Sequence, residues 1–244
     1  MNVGPMASIT PEPTSSRLSA DFAQGDLEFA KWVAIVTMAI DHYGKIVDDS
    51  ILVQTQAIGR VSFPLFAAII GIRLAVRPTL DLRYLRHLIP WAIVSQPVFV
   101  LVGRPWYDGN ILITLTLGVA ATCLLRRRTE LSELELVAAL AAILIVSVFV
   151  DYGPLGVVMV PAMTFLVIHH GYAGAAAAGP LGLIANLRFS PPYLELPDLT
   201  ALLATPVLMF SLWAKVRLPR LPTQAFYAFY PTHLLALHFY DLYR

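Results

Sequence analysis

Apolar runs of roughly twenty residues follow one another along most of this chain, separated by short polar connections. About twenty apolar residues in a helix span the hydrocarbon core of a bilayer. The composition agrees, because 57% of the residues are hydrophobic and 14% are charged, whereas soluble domains carry about 25% charged residues. The sequence therefore predicts an all-α, polytopic transmembrane helix bundle of about nine helices. They are expected near residues 29–47, 52–74, 84–103, 109–125, 134–150, 154–169, 172–188, 199–214 and 223–241.

The domain organisation follows from the same pattern. Residues 1–26 are rich in Pro, Ser and Thr and are predicted to form a disordered cytoplasmic tail, while residues 27–244 form a single transmembrane domain. A net charge of +1 argues against a nucleic-acid partner, and one cysteine excludes a disulfide framework or a cysteine metal site. No internal repeat is visible, which argues against an inverted-repeat transporter.

Basic residues in short loops indicate the orientation of a membrane protein, because they stay in the cytoplasm. Arginine and lysine are concentrated in the loops 73–87, 126–130 and 215–220. The intervening loops are poor in basic residues. The sequence therefore predicts a multi-pass protein of the bacterial inner membrane, with a cytoplasmic N-terminus and a periplasmic C-terminus.

The first helix carries charged residues at membrane depth, where they are costly and usually functional. Lys31 and His42 are eleven residues apart and share a helix face, about 16 Å apart along the axis. Histidine is the usual general base near neutral pH. Asp41 can support His42, although adjacent helical residues point about 100° apart, or it can pair with Lys45 one turn away. Alternatively, Asp41 and His42 lie at a frayed helix end.

Two further helices carry polar residues at similar depth. Arg60 is eight residues into the second helix, at a depth near that of His42, and Pro64 is expected to kink this helix. Arg60 either serves the site or extends to the interface. In the fourth helix, Asn110 and Thr114 lie on one face. They either bind substrate or form a helix cap and interhelical hydrogen bonds.

The last helix places Tyr230 and His233 about 60° apart on one face. His233 falls in the middle of the helix, where an unpaired imidazole is expensive. We consider His233 the second candidate for the base. The histidine spacings fit no common zinc motif, so no metal is expected.

Six segments resemble the TraX family, in order and over residues 31–237: KWVAIVTMAIDH, IGRVSFPLF, YLRHLIPWAIVSQPVF, NILITLTLG, DYGPLGVVMV and FYAFYPTHLL. That family includes a conjugation protein associated with N-terminal acetylation of F-type pilin. The first helix is also similar to that of transmembrane acyltransferases of the acyltransferase family 3 type. In those proteins a basic residue precedes a histidine by eleven positions, as Lys31 precedes His42.

The resemblance implies an acetyltransferase that takes acetyl-CoA from the cytoplasm as its co-substrate. It implies His42 as the base, Asp41 as its support, Arg60 and His233 as pocket residues, and Lys31 on the CoA side. CoA carries phosphates, so Arg83 and Arg86 are further candidates for binding it. The acceptor is expected to be the N-terminus of a pilin-like membrane protein, with Asn110, Thr114 and Tyr230 as substrate-binding residues. The alternatives are O-acetylation of a glycan or lipid, a proton-coupled transporter, and a structural membrane protein.

Overall fold

The computed structural model of the protein describes residues 22, 27–77, 81–187, 196–214, 216 and 218–244. Within these residues the regular structure is helical, with one isolated bridge between Gly109 and Val150. The predicted all-α class is confirmed. The predicted tail, residues 1–26, lies outside the described residues except for Phe22, which is buried and packs against the ring of Tyr172.

Eleven α-helices occur in the described residues. They are α1 Glu28–Ile46, α2 Leu52–Gly59, α3 Ser62–Val76, α4 Asp81–Leu101, α5 Ile111–Arg126, α6 Glu133–Ser147, α7 Gly153–Ala175, α8 Ala178–Asn186, α9 Leu196–Leu199, α10 Ala204–Ala214 and α11 Thr223–Tyr243. If α2 with α3 and α9 with α10 are counted as continuous segments, nine remain, as the sequence predicts.

The second predicted helix is divided, and the reason is local. Proline cannot donate a backbone hydrogen bond, and its ring clashes with the carbonyl four residues earlier. For Pro64 that residue is Arg60, and the helix is interrupted at Arg60 and Val61. Pro64 therefore lies in the first turn of α3, and the disruption that it causes falls one turn earlier, at Arg60 and Val61. A second interruption occurs in α7, where Gly171 has a φ of 54°.

Helix α3 is the centre of the bundle, because 13 of its 15 residues are buried. It packs mainly against α7 and α1, and α7 also packs against α5. Small residues allow these close approaches, as is common between membrane helices. A Cβ atom added to Gly118 of α5 would lie 2.8 Å from the side chain of Val160 in α7.

Three helical segments are long and apolar enough to cross a membrane: Asp49–Val76, Gly153–Ala175 and Pro197–Ala214. The shorter helix α5 is also apolar. Helix α6 lies at the periphery, and Ser147 is its one buried residue. Its start is fixed by a capping box, in which Ser132 and Glu135 bond each other's backbone amides. The length and apolar character of the three spanning segments identify a membrane protein.

Candidate functional site

A cavity of about 540 Å³ lies at one end of the bundle. Its wall is formed by the C-terminal turns of α1, one side of α2, the start of α3, the end of α4, the first residue of α5 and the middle of α11, together with the loops before α5 and α7. The polar side chains in the lining are Asp41, His42, Lys45, Asp49, Gln56, Arg60, Ser62, Arg104, Asp151, Tyr152 and Tyr230. We call this space the polar cavity. It brings together four residues that the sequence predicts for the site: Asp41, His42, Arg60 and Tyr230.

His42 and His233 form a hydrogen-bonded pair across 191 residues of sequence. Nδ1 of His42 lies 2.7 Å from Nε2 of His233, and Nδ1 of His233 lies 2.7 Å from the carbonyl oxygen of Phe229. The two imidazole rings are stacked, with centroids 4.9 Å apart. His42 lines the polar cavity, whereas His233 lies behind it.

The hydrogen bonds determine the tautomers of two neutral rings. A carbonyl oxygen only accepts, so Nδ1 of His233 carries the hydrogen and donates it to Phe229. Nε2 of His233 then accepts, and Nδ1 of His42 is the donor. Nε2 of His42 is left with a lone pair and no hydrogen. His42 is therefore arranged to accept a proton through Nε2, and His233 holds it in that tautomer.

Asp41 does not occupy the supporting position that the resemblance implies. Its Oδ2 accepts a hydrogen bond from Lys45 Nζ at 2.5 Å, in the wall of the polar cavity. Neighbouring residues of a helix point about 100° apart, so Asp41 projects away from Nδ1 of His42. The structure gives the supporting position to His233. Asp41 also packs against Gly59, where an added Cβ would lie 2.2 Å from that of Asp41.

Arg60 lies at the interruption between α2 and α3 and points into the bundle. Its Nε is 3.2 Å from Oδ1 of Asp198, and Asp198 is fully buried. Arg60 also hydrogen-bonds to Tyr152. The guanidinium therefore contributes to the cavity wall with its charge already compensated.

Several residues of the site come from loops that the sequence analysis did not single out. Tyr152 has a φ of 61°, unusual for a residue with a side chain, and its ring stacks on Phe63 with centroids 3.9 Å apart. Arg104 pairs with Asp108 at 3.2 Å and with Asp151 at 3.4 Å. Burial raises the pKa of the Asp151 carboxyl, which lies in the loop before α7, and the Arg104 guanidinium lowers it. A left-handed residue in a short polar loop leaves no signal in residue spacing.

Asn110 and Thr114, predicted to bind substrate, have structural roles here. Asn110 is the N-cap of α5: its Oδ1 accepts from the amide of Leu112, and its Nδ2 donates to the carbonyl of Ala92. The hydroxyl of Thr114 donates to the carbonyl of Asp151 at 2.5 Å. Both side chains are buried, and neither lines the polar cavity. Asn110 thus forms the predicted helix cap, and its role in substrate binding stays a prediction.

Tyr230, from the middle of α11, does line the polar cavity. It is 3% exposed, and its ring centroid is 6.1 Å from that of His42. Its hydroxyl is buried and has no hydrogen-bond partner among the described residues. A buried polar atom without a partner is uncommon and needs an explanation.

The residues predicted to bind CoA lie far from the polar cavity. Lys31 is at the start of α1 and forms a short ion pair with Glu28, whose other oxygen accepts from the amide of Leu221 at 3.0 Å. Arg83 and Arg86 are exposed in the first turns of α4, whereas the end of α4 lines the cavity. These three cations therefore lie at the opposite end of the bundle. In the described part of the chain, no three His, Cys, Asp or Glu side chains are grouped as a metal site requires.

Comparisons with known proteins agree over most of the chain. The family model described as "TraX protein" matches residues 26–240. A Protein TraX from Escherichia coli is 30% identical over 230 residues, covering 88% of this chain and 87% of the relative. Protein TraX from Escherichia coli (strain K12) is 33% identical over 99 residues, covering 40% of this chain and 39% of the relative. No solved structure matches the chain.

The family match covers all the helices that form the polar cavity, from α1 to α11. The relative that is aligned along nearly the whole chain carries the same family name. The chain belongs to the TraX family.

Proposed function

We propose that the protein is a membrane-embedded acetyltransferase, which transfers the acetyl group of acetyl-CoA to the N-terminal amine of a pilin-like membrane protein. The observation that carries this proposal is the geometry of His42. Its Nε2 is held as a proton acceptor in a polar cavity within a helix bundle. The alternatives are the same chemistry on a hydroxyl of a glycan or lipid, and a proton-coupled transporter.

The reaction is an acyl substitution that needs one base. The amine nitrogen attacks the thioester carbon, a C–N bond forms, and the C–S bond of the donor breaks. Nε2 of His42 takes the proton that the amine loses and passes it to the departing sulfur. The products are the acetylated amine and the free thiol of CoA. His233 accepts the hydrogen bond from Nδ1 throughout and keeps Nε2 pointing at the substrate.

The charges around the polar cavity favour an amine as acceptor. The three cations of the lining, Lys45, Arg60 and Arg104, are each paired with a carboxylate. Asp49 adds a further carboxylate without a cation among the described residues. The excess of negative charge attracts an ammonium group but does not attract a neutral hydroxyl.

The type of amine follows from its ordinary pKa. An α-amino group has a pKa of about 7.7–8.0, whereas a lysine side chain has one of about 10.4. Near neutral pH a useful fraction of the N-terminal amine is therefore already deprotonated, or can be deprotonated by histidine. This matching favours a protein N-terminus over a lysine side chain as the acceptor.

The donor is proposed to enter from the opposite end of the bundle. Arg83 and Arg86 are exposed there and suit the phosphates of CoA, and Lys31 lies at the same end. The distance along α1 from Lys31 to His42 is about 16 Å, which the pantetheine arm has to bridge. The basic loops support placing this end in the cytoplasm and the polar cavity at the periplasmic face of the inner membrane.

The test compares two neighbouring variants of α1. His42→Gln keeps a hydrogen-bonding side chain but cannot accept a proton at neutral pH, so acetylation of a mature pilin peptide should fall by about 10²–10⁴. Asp41→Asn should lower the rate of acetylation much less, since Asp41 pairs with Lys45 and not with His42. Both proteins should insert and purify as the wild type does. Near-normal activity of His42→Gln would show that the assigned base is incorrect.

A further inference from the structure

The hydroxyl of Tyr230 is a buried donor that faces an internal space with nothing in the described structure to bond. It is 3% exposed and lines the polar cavity, and its hydrogen has no acceptor among the described residues. Leaving such a group unpaired costs free energy. One explanation for such an unpaired donor is that its hydrogen-bond acceptor is an atom of the substrate.

The contacts of this hydroxyl leave its hydrogen available to donate. The amide of Ile111, the first residue of α5 and part of the cavity lining, approaches the hydroxyl oxygen as a donor. The amides in the first turn of a helix carry partial positive charge. Arg60 lines the same space, but its charge is already compensated by Asp198. Asp151 places negative charge near the same hydroxyl. The group that can stabilise an oxyanion here is therefore the O–H donor of Tyr230, and not the net charge of the region.

The position relative to His42 fits a reaction centre. The centroids of the two rings are 6.1 Å apart, and both side chains line the polar cavity. A base and an oxyanion donor have to lie so that one reacting carbon fits between them, at about 3 Å from each functional atom. The two rings are in edge-to-face contact, so the space for a small acyl group is the polar cavity that both side chains line.

We infer that the hydroxyl of Tyr230 donates a hydrogen bond to the acyl oxygen during transfer, and that Tyr230 is thus a catalytic residue. This inference rests on the proposed acetyl transfer. When the amine attacks, the π electrons of the thioester C=O move onto its oxygen, and the Tyr230 O–H stabilises that charge without giving up its proton. The electrons return to re-form C=O as the C–S bond breaks, and His42 handles the proton of the amine.

The experiment replaces Tyr230 by Phe, which removes only the hydroxyl and keeps the buried ring. Removal of one oxyanion donor typically lowers kcat by about 10²–10³, with little change in the KM for acetyl-CoA. Because the hydroxyl hydrogen has no acceptor among the described residues, the thermal midpoint of Tyr230→Phe should be close to or higher than that of the wild type. Tyr227→Phe is the matched control, since Tyr227 is buried one turn earlier in α11 and does not line the polar cavity. It should retain normal activity.

The remaining outcomes each count against the inference. A kcat of Tyr230→Phe within about threefold of wild type overturns it, given the loss expected for an oxyanion donor. A fall in kcat that is accompanied by a clear fall in thermal midpoint also overturns the inference, because it indicates a structural role. Loss of one limb of the pH–rate profile would make Tyr230 an acid or base and not a donor. If the wild-type protein does not transfer acetyl groups, the proposed function is wrong as well. If both the wild type and Tyr230→Phe are active, only the inference about Tyr230 is wrong.

Discussion

Replacing His233 by residues that do or do not accept a hydrogen bond separates its role from that of His42. In the structure, Nε2 of His233 accepts from Nδ1 of His42 at 2.7 Å. His233→Leu removes that acceptor, whereas the Oε1 of Gln in His233→Gln lies at about the position of Nε2 and can replace it. If His233 only orients His42, an acceptor of either kind should suffice.

The expected magnitude comes from one neutral hydrogen bond. Its net value is about 1 kcal/mol, and a buried donor left without a partner costs about 1–3 kcal/mol. Taking about 1–2 kcal/mol as the loss of orientation, His233→Leu should lower kcat by roughly 5- to 30-fold. His233→Gln should stay within a few fold of wild type. In contrast, His42→Gln should lower kcat by about 10²–10⁴, because it removes the base.

The assay is single-turnover acetylation of a mature pilin peptide by each purified protein, followed by mass spectrometry at saturating acetyl-CoA. Equal amounts of monodisperse protein serve as the folding control. If His233→Gln is as inactive as His42→Gln, then His233 carries the proton and the assignment of the base is reversed. If His233→Leu matches wild type, the hydrogen bond between the two histidines does not orient the base.

Three further predictions concern packing, the donor and the orientation. Gly118→Leu should destabilise the protein by about 1–3 kcal/mol through overpacking, whereas Ala142→Leu on the exposed face of α6 should not; thermal unfolding in detergent measures both. Neutralising Arg83 and Arg86 together should raise the KM for acetyl-CoA while the protein still inserts, and an unchanged KM would place the donor elsewhere. A cysteine introduced at Arg17 should react with an impermeant reagent only from the cytoplasmic side, and labelling from the periplasm would reverse the topology.

The helices could be predicted because each apolar run has to satisfy its own backbone hydrogen bonds in lipid. A kink caused by Pro64 was predicted, but its position at Arg60 and Val61 was not. A proline affects the carbonyl four residues earlier, so the break falls at Arg60 and not at the proline itself. The position of each helix can thus be predicted from the local sequence. The position of an interruption depends on which backbone carbonyl loses its hydrogen-bond donor.

The site was only partly predictable. His42, Arg60 and Tyr230 were found because charged or polar residues at membrane depth are unusual, and the structure brings all three to the polar cavity. The pairing of His42 with His233 depends on how α1 and α11 pack, which residue spacing within one helix does not contain. Asp198 pairs with Arg60, but the two residues are far apart in the sequence and no sequence motif connects them.

Helix α6 contributes almost nothing to the interior, since Ser147 is its one buried residue. It contacts α5 and α7 through side chains that stay partly or fully exposed. Among the described helices longer than ten residues, it contributes the fewest buried side chains. Fluorophores, affinity tags or whole-helix replacements can be placed along it without disturbing the paired histidines.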